Sequence, residues 1–165
     1  MANFTPKQVA DQCRISGPDL AGLPRGVDGA QLLWAMAGNE SSFGVNCTPR
    51  HEPAFDVGGV YGSSPAMVSL LAKFGTAAAC SYGPLQMMFC NAAPGTKPSD
   101  FDDIQTAFRL SVDFLNRQLK HWRPSSLEDI GEMWNAGHPL INPSPGVRAY
   151  TQRLAENYAK PLPLL

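Results

Sequence analysis

The chain has 165 residues, 44% hydrophobic and 16% charged, a balance that supports one domain with a real core and excludes a disordered chain. Its formal net charge of −1 supplies no field to draw it to nucleic acid or to an anionic membrane surface. The longest apolar run, Leu-Leu-Trp-Ala-Met-Ala at 32–37, falls far short of the roughly 20 residues of a membrane span, and residues 1–7 carry no secretory signal pattern.

Fifteen glycines and fifteen prolines punctuate the chain into short elements, and most of them read as helices. Thr5-Pro6-Lys7-Gln8 joins an N-cap, a proline at the first helical position and a capping-box glutamine, and predicts a helix to about Ile15. Asp28, with Gln31 in capping-box position, opens a second helix that runs to about Glu40. Ser64-Pro65 opens a third, which Gly75 ends. A compact helix is expected over 83–90. Ser99 or Asp100 then opens the longest one, whose apolar residues Ile104, Phe108, Val112, Leu115, Leu119 and Trp122 recur at helical spacing on one face. Ser126 and Asp129 cap a helix through Trp134. Ser144-Pro145 opens the last, with Val147, Tyr150, Leu154 and Tyr158 on one stripe. No stretch alternates with period two between hairpin turns. The expected fold is therefore mostly α, with 44–62 as a small hairpin or an ordered loop, and loops longer than about 12–15 residues in compact domains are usually functional.

Cys13, Cys47, Cys80 and Cys90 leave two readings: two disulfides in an oxidising compartment, or four small buried hydrophobes. There is no CxxC. Cys47 and His51 are four apart but lack a matching second pair, so no zinc site is expected.

Glu40 carries the most chemistry. It ends an apolar helix, where the negative end of the helix dipole opposes a carboxylate and where Lys or Arg is the usual choice. Trp34 and Met36 would limit its hydration if they line the same cleft. A carboxylic acid held neutral near pH 7 can protonate a leaving group, and a residue placed against local preference marks a site where function overrides stability. The competing reading is an exposed glutamate at a frayed helix end.

Glu40-Ser41-Ser42-Phe43-Gly44 is followed by Gly83-Pro84-Leu85-Gln86-Met87-Met88, by Trp134-Asn135-Ala136-Gly137 and by Val147-Arg148-Ala149-Tyr150. In this order the segments resemble the soluble lytic transglycosylase family of the lysozyme-like superfamily. That family shows Glu-Ser after a helix, a Gly-x-x-Gln-x-Met helix, an Ala-Tyr-Asn-x-Gly turn and a tyrosine in the last helix. The resemblance implies one lysozyme-like catalytic domain over 1–165 that cleaves the peptidoglycan glycan strand. Glu40 would be the general acid and then the base, and Ser41 its polar supporter. Gln86 and Met88 would line the sugar cleft, Asn135 would contact the glycan near its N-acetyl group, and Tyr150 would orient Glu40. The resemblance implies no cofactor and no metal, and a monomer acting at the cell wall, in the periplasm or outside the cell. A phage endolysin, a phage virion enzyme or a trimmed secreted bacterial enzyme fits that setting.

The chain departs from the family pattern in places. Trp134 stands where a tyrosine is usual, still a good platform for a sugar face, and Pro84 and Phe89 alter the glutamine helix. The interval from Gly44 to Gly83 is long and contains His51-Glu52-Pro53-Ala54-Phe55-Asp56. Goose-type lysozymes, the hydrolytic relatives, place extra acidic residues in such a region, so Glu52 or Asp56 is a candidate second carboxylate, against an ordinary ion-paired loop. A hydrolytic muramidase is thus the alternative activity. An inactive peptidoglycan-binding module and a helical scaffold built on a disulfide or metal are the non-enzymatic alternatives. If 81–90 forms mainly one helix, Cys80 and Cys90 lie about 15 Å apart, beyond the roughly 7 Å that a disulfide spans. With the family fold, any disulfide of Cys47 would join it to Cys80 or Cys90.

Overall fold

Side-chain caps start every α-helix of the computed structural model, which describes residues 2–163. The helices are α1 (Pro6–Ser16), α2 (Gly29–Ser41), α3 (Pro65–Phe74), α4 (Ile104–Trp122), α5 (Leu127–Ala136) and α6 (Pro145–Tyr158). Thr5 and Gln8 form the full capping box, and Asp28, Ser64, Asp103, Ser126 and Ser144 each accept the third-position amide of their helix. Two capping expectations change. Gln31 does not close a box with Asp28: its amide donates to the Tyr158 and Lys160 carbonyls and ties α2 to the end of α6. The longest helix starts at Ile104 under Asp103, because Asp100 folds back to accept the Lys97 amide and closes a separate 3-10 turn, Pro98–Asp102.

The expected helix over 83–90 is instead the turn and second strand of a hairpin. Strands β1 (Arg50–His51), β2 (Cys80–Tyr82) and β3 (Met87–Met88) form one antiparallel sheet in that order. Arg50 faces Ser81 in register, and Ser81 faces Met88. Gly83 and Gln86 both have left-handed backbones, φ 74° and 47°, which a helix cannot contain. The Gln86 side chain compensates: its carbonyl accepts from Ser81 Oγ at 2.8 Å and its amide donates to the Gly83 carbonyl at 3.1 Å. The remainder of 44–62 is the ordered loop, with a 3-10 turn at Pro53–Phe55.

The core has two apolar clusters. The larger joins α1, α2, α4, α5 and α6 through Val9, Leu33, Met36, Phe108, Leu115, Ile130 and Leu154. The smaller lies under the sheet and α3, with Met67, Tyr82, Met87, Phe89 and Phe101. Helix α4 serves both: Phe108, Val112, Leu115 and Leu119 face the larger cluster, while Ala107 and Leu110 face the smaller. Burying each large side chain contributes about 1.5–3 kcal/mol, so a helix buried on two sides ties the clusters together. Trp122, at the end of the predicted apolar face, lies instead at the surface and donates its indole N–H to Gln118. The hairpin links both parts, because Leu85 enters the larger cluster and Met87 the smaller.

All four cysteines are free thiols. Of the two cysteine readings the structure has the unpaired one: Cys47 is buried in the larger cluster, where its thiol donates to the Gly44 carbonyl at 3.3 Å, and is not joined to Cys80 or Cys90. Burial pushes that thiol's pKa up to about 11. Cys80 points to the Thr76 carbonyl at 3.4 Å, and the single-helix spacing assumed between Cys80 and Cys90 does not apply to a hairpin. Among the described residues no helix is long and apolar enough to cross a membrane.

Candidate active site

Glu40 occupies the last turn of α2, and its side chain is 6% exposed. Beyond Ser41 the chain reverses through Ser42, Phe43 and Gly44, all left-handed (φ 52°, 61° and 87°). Such backbones are costly for a non-glycine residue and persist when surrounding contacts over-determine them. Here the Phe43 ring stacks on Trp34 with centroids 4.2 Å apart, and the Phe43 amide donates to the Ala37 carbonyl. Gly38 makes room for this, since a Cβ there would stand 2.7 Å from the Phe43 ring. Trp34 and Met36 are therefore core residues and do not line the cleft beside Glu40.

Two donors from two helices meet one oxygen of the glutamate. Tyr150 Oη of α6 donates to Glu40 Oε1 at 2.8 Å, and Trp134 Nε1 of α5 donates to the same oxygen at 3.1 Å. Asn39 Nδ2 donates to the Tyr150 carbonyl, and Asn157 Nδ2 donates to Asn39 Oδ1, so α6 is bound to α2 beside the site. The other oxygen, Oε2, faces Arg50 Nη1 of β1 at 3.5 Å. Burial raises the Glu40 pKa above the ordinary carboxylate value; the Tyr150 hydroxyl, the Arg50 charge and the Trp134 N–H pull it back without cancelling the rise. Burial and the neighbouring Glu40 hold the Tyr150 phenol well above its usual value, so it stays a donor. With Oε1 accepting two bonds, a proton on this carboxyl belongs on Oε2.

Glu40 opens into a cleft of about 650 Å³. One wall is Arg50, Glu52, Phe55 and Tyr61; the floor is Gln86, Met87, Met88 and Asn91; the far wall is Phe114, Gln118 and the end of α5 from Met133 to His138. Aromatic pairs stand on both walls: Phe55 against Tyr61 at 4.9 Å and Phe114 against Trp134 at 5.7 Å. Met88, Trp134 and the exposed Asn135 line the cleft. Gln86 also reaches it, although its polar atoms are spent on the hairpin. Ser41 does not touch Glu40: its hydroxyl donates to the Pro84 carbonyl at 2.7 Å and accepts from the Gly44 amide at 2.8 Å, fastening α2 to the hairpin turn.

The two candidate second carboxylates part company along with the two residues of β1, Arg50 and His51, which point to opposite faces. Arg50 and Glu52 face the cleft, with Arg50 Nε donating to Glu52 Oε1 at 2.7 Å. His51 points away and pairs with Asp56 at 2.9 Å, and Asp56 is not part of the cleft lining. Arg50 has no signal in the sequence, since a two-residue strand shows no periodicity and only its pairing with β2 carries it to Glu40. Phe55, Tyr61 and Phe114 also line the cleft and were missed in the sequence; the length of the 44–62 loop is the one signal that pointed toward the first two. Among the described residues no group of three or more His, Cys, Asp or Glu side chains is placed to hold a metal ion.

Comparisons with protein-family models, with curated proteins and with solved structures gave no significant match.

Changing Tyr150 to Phe removes one of the two donors on Glu40 while keeping the buried ring. The variant is expected to fold normally and, if Glu40 is the acid of an enzyme, to lose roughly tenfold in turnover, about the worth of one strong hydrogen bond. Full turnover in this variant would show that the 2.8 Å contact does not orient the glutamate.

Proposed function

We propose that this protein has a lysozyme-like fold and cleaves the β-1,4 bond between N-acetylmuramic acid and N-acetylglucosamine in peptidoglycan, as a lytic transglycosylase. The observation that carries this reading is a buried glutamate with a raised pKa, held on one oxygen by Tyr150 and Trp134 and open through the other to an aromatic-walled cleft. Glu40 donates its proton to the glycosidic oxygen as that bond breaks. The substrate's own N-acetyl oxygen stabilises the cationic sugar. Glu40, now a carboxylate, takes the proton of the muramyl C6 hydroxyl, whose oxygen attacks C1 and closes a 1,6-anhydro ring without water. Aromatic faces on both walls suit sugar rings, and a cleft of this size takes a short run of them. The protein would act as a monomer at the cell wall.

Glycosidases that use water need a second carboxylate free to handle it. Glu52 lies in the cleft and keeps the hydrolytic muramidase as the second reading, yet its carboxylate is bound to Arg50 at 2.7 Å. Asp56 is outside the cleft and bound to His51. Both facts favour the one-carboxylate chemistry. Purified peptidoglycan digested with the protein and analysed by mass spectrometry decides the matter, since the anhydro product is one water lighter than the reducing sugar. Asp56→Asn is expected to leave the digestion rate within about twofold, as for a surface substitution away from the chemistry. A collapse of turnover in that variant would place Asp56 in the reaction.

A further inference from the structure

Arg50 stands between two carboxylates of unlike surroundings. Its Nε edge meets Glu52, 35% exposed, at 2.7 Å; its Nη1 faces Glu40, 6% exposed, at the longer distance of 3.5 Å. The shorter and better-placed contact is with the carboxylate that the proposed chemistry does not use. Arg50 of β1 and Glu52 just beyond it both line the cleft, and the Glu52 amide fixes the backbone there by donating to the Ala79 carbonyl at 2.8 Å. We propose that Glu52 is a positioning residue that acts through Arg50: by holding the guanidinium along its Nε edge it sets how much positive charge reaches Glu40. The proposal deepens the reading of Glu40 as a proton donor and rests on it.

The physical reason is a conflict of requirements. A cation 3.5 Å from Glu40 stabilises its carboxylate, which helps the proton leave but also empties the acid before substrate arrives. Partial neutralisation by Glu52 favours the protonated acid at rest and keeps a counter-ion at hand once the proton has gone. The other groups facing Glu40 do not supply this charge. Tyr150 of α6 is a neutral donor, Trp134 of α5 does not titrate, α4 offers Phe114 and Gln118, and His138 at the end of α5 lines the cleft with its ring on the Pro139 carbonyl and not on Glu40.

The test follows the ionisation of Glu40 directly, by carbon NMR of its labelled carboxyl, in the native protein, Arg50→Gln, Glu52→Gln and the double variant. Arg50→Gln is expected to move the titration up by about one pH unit and Glu52→Gln to move it down by about one unit. In the Arg50→Gln background, Glu52→Gln should give less than half the shift it gives alone. The alkaline limb of kcat/KM on peptidoglycan should move in the same directions, whereas a merely structural role would lower the plateau and leave the limb in place. An unmoved Glu40 titration in Glu52→Gln overturns the proposal, and so does an equal shift with and without Arg50, which would mean that Glu52 acts by its own charge. A plateau lost at every pH in Glu52→Gln, with or without Arg50, also overturns it, in favour of a water-handling carboxylate. If the titrations behave as expected while the native protein leaves peptidoglycan intact, the Arg50 arrangement stands and the peptidoglycan reading falls.

Discussion

Glu40→Gln is expected to keep the native fold and to lose about 10²–10⁴-fold in glycan cleavage, more if the same side chain also serves as base. The amide oxygen can still accept from Tyr150 and Trp134, and Arg50 keeps its partner Glu52, while the new amide nitrogen takes the place of Oε2 beside Arg50. What disappears is the proton. The stability of this variant carries a second signature. The folded-state pKa of Glu40 is raised, so native stability attached to its protonated form is present below the ordinary carboxylate pKa and is lost as pH rises through the folded value. The amide does not titrate, so the variant should gain stability relative to the native protein from mildly acid to neutral pH. Denaturant unfolding at several pH values, beside product release from purified peptidoglycan, measures both effects. A folded variant that cleaves at near-native rate would remove Glu40 from the chemistry.

A large effect on stability is expected at Gly17. This residue caps α1 with an ordinary right-handed backbone, φ −57°, so alanine is conformationally welcome there and propensity by itself would favour it. Packing gives the opposite sign. A Cβ at Gly17 would lie 2.4 Å from the Ala30 nitrogen, and one at Gly29 would lie 2.3 Å from the Gly17 carbonyl oxygen. Both obstacles are backbone, which cannot step aside as a side chain can. Gly17→Ala should therefore cost about 1–3 kcal/mol, read as a lower denaturant midpoint with an unchanged slope. Because α2 carries Glu40, activity is expected to fall along with the midpoint. An unchanged or raised midpoint would show that the crossing of α1 and α2 yields easily.

The helices were legible because their starts are written in adjacent residues: Thr5-Pro6, Ser64-Pro65 and Ser144-Pro145 each set a cap and a fixed φ in two letters. The sheet was not legible. Its strands are two or three residues long, too short for alternation to show, and the left-handed Gln86 that turns the hairpin is held by Ser81 and Gly83, so the signal lies in side-chain bonding rather than local preference. The site divides in the same way. Glu40 could be singled out because a glutamate at a helix C-terminus opposes the dipole. The Trp134 contact was missed as a hydrogen bond, since the sequence suggested a platform for a sugar and the indole N–H turns toward Glu40. The resemblance makes Ser41 the polar supporter of the glutamate, whereas the helical turn points its hydroxyl to Pro84. Arg50 was invisible because its place depends on a strand pairing across thirty residues of chain.

The Ser41 link has a thermal consequence. One buried hydroxyl joins the helix bearing Glu40 to the hairpin turn that leads into the cleft floor, and Leu85 of that turn is buried in the same cluster as Leu33 and Met36. The acid and the surface that would cradle a glycan are thus parts of one cooperative unit, with no hinge between them to soften first. Heat should inactivate such a protein in a single step, with the loss of cleavage and the loss of aromatic circular dichroism following the same curve. Ser41→Ala would separate them, leaving secondary structure in place at temperatures where turnover has already ceased.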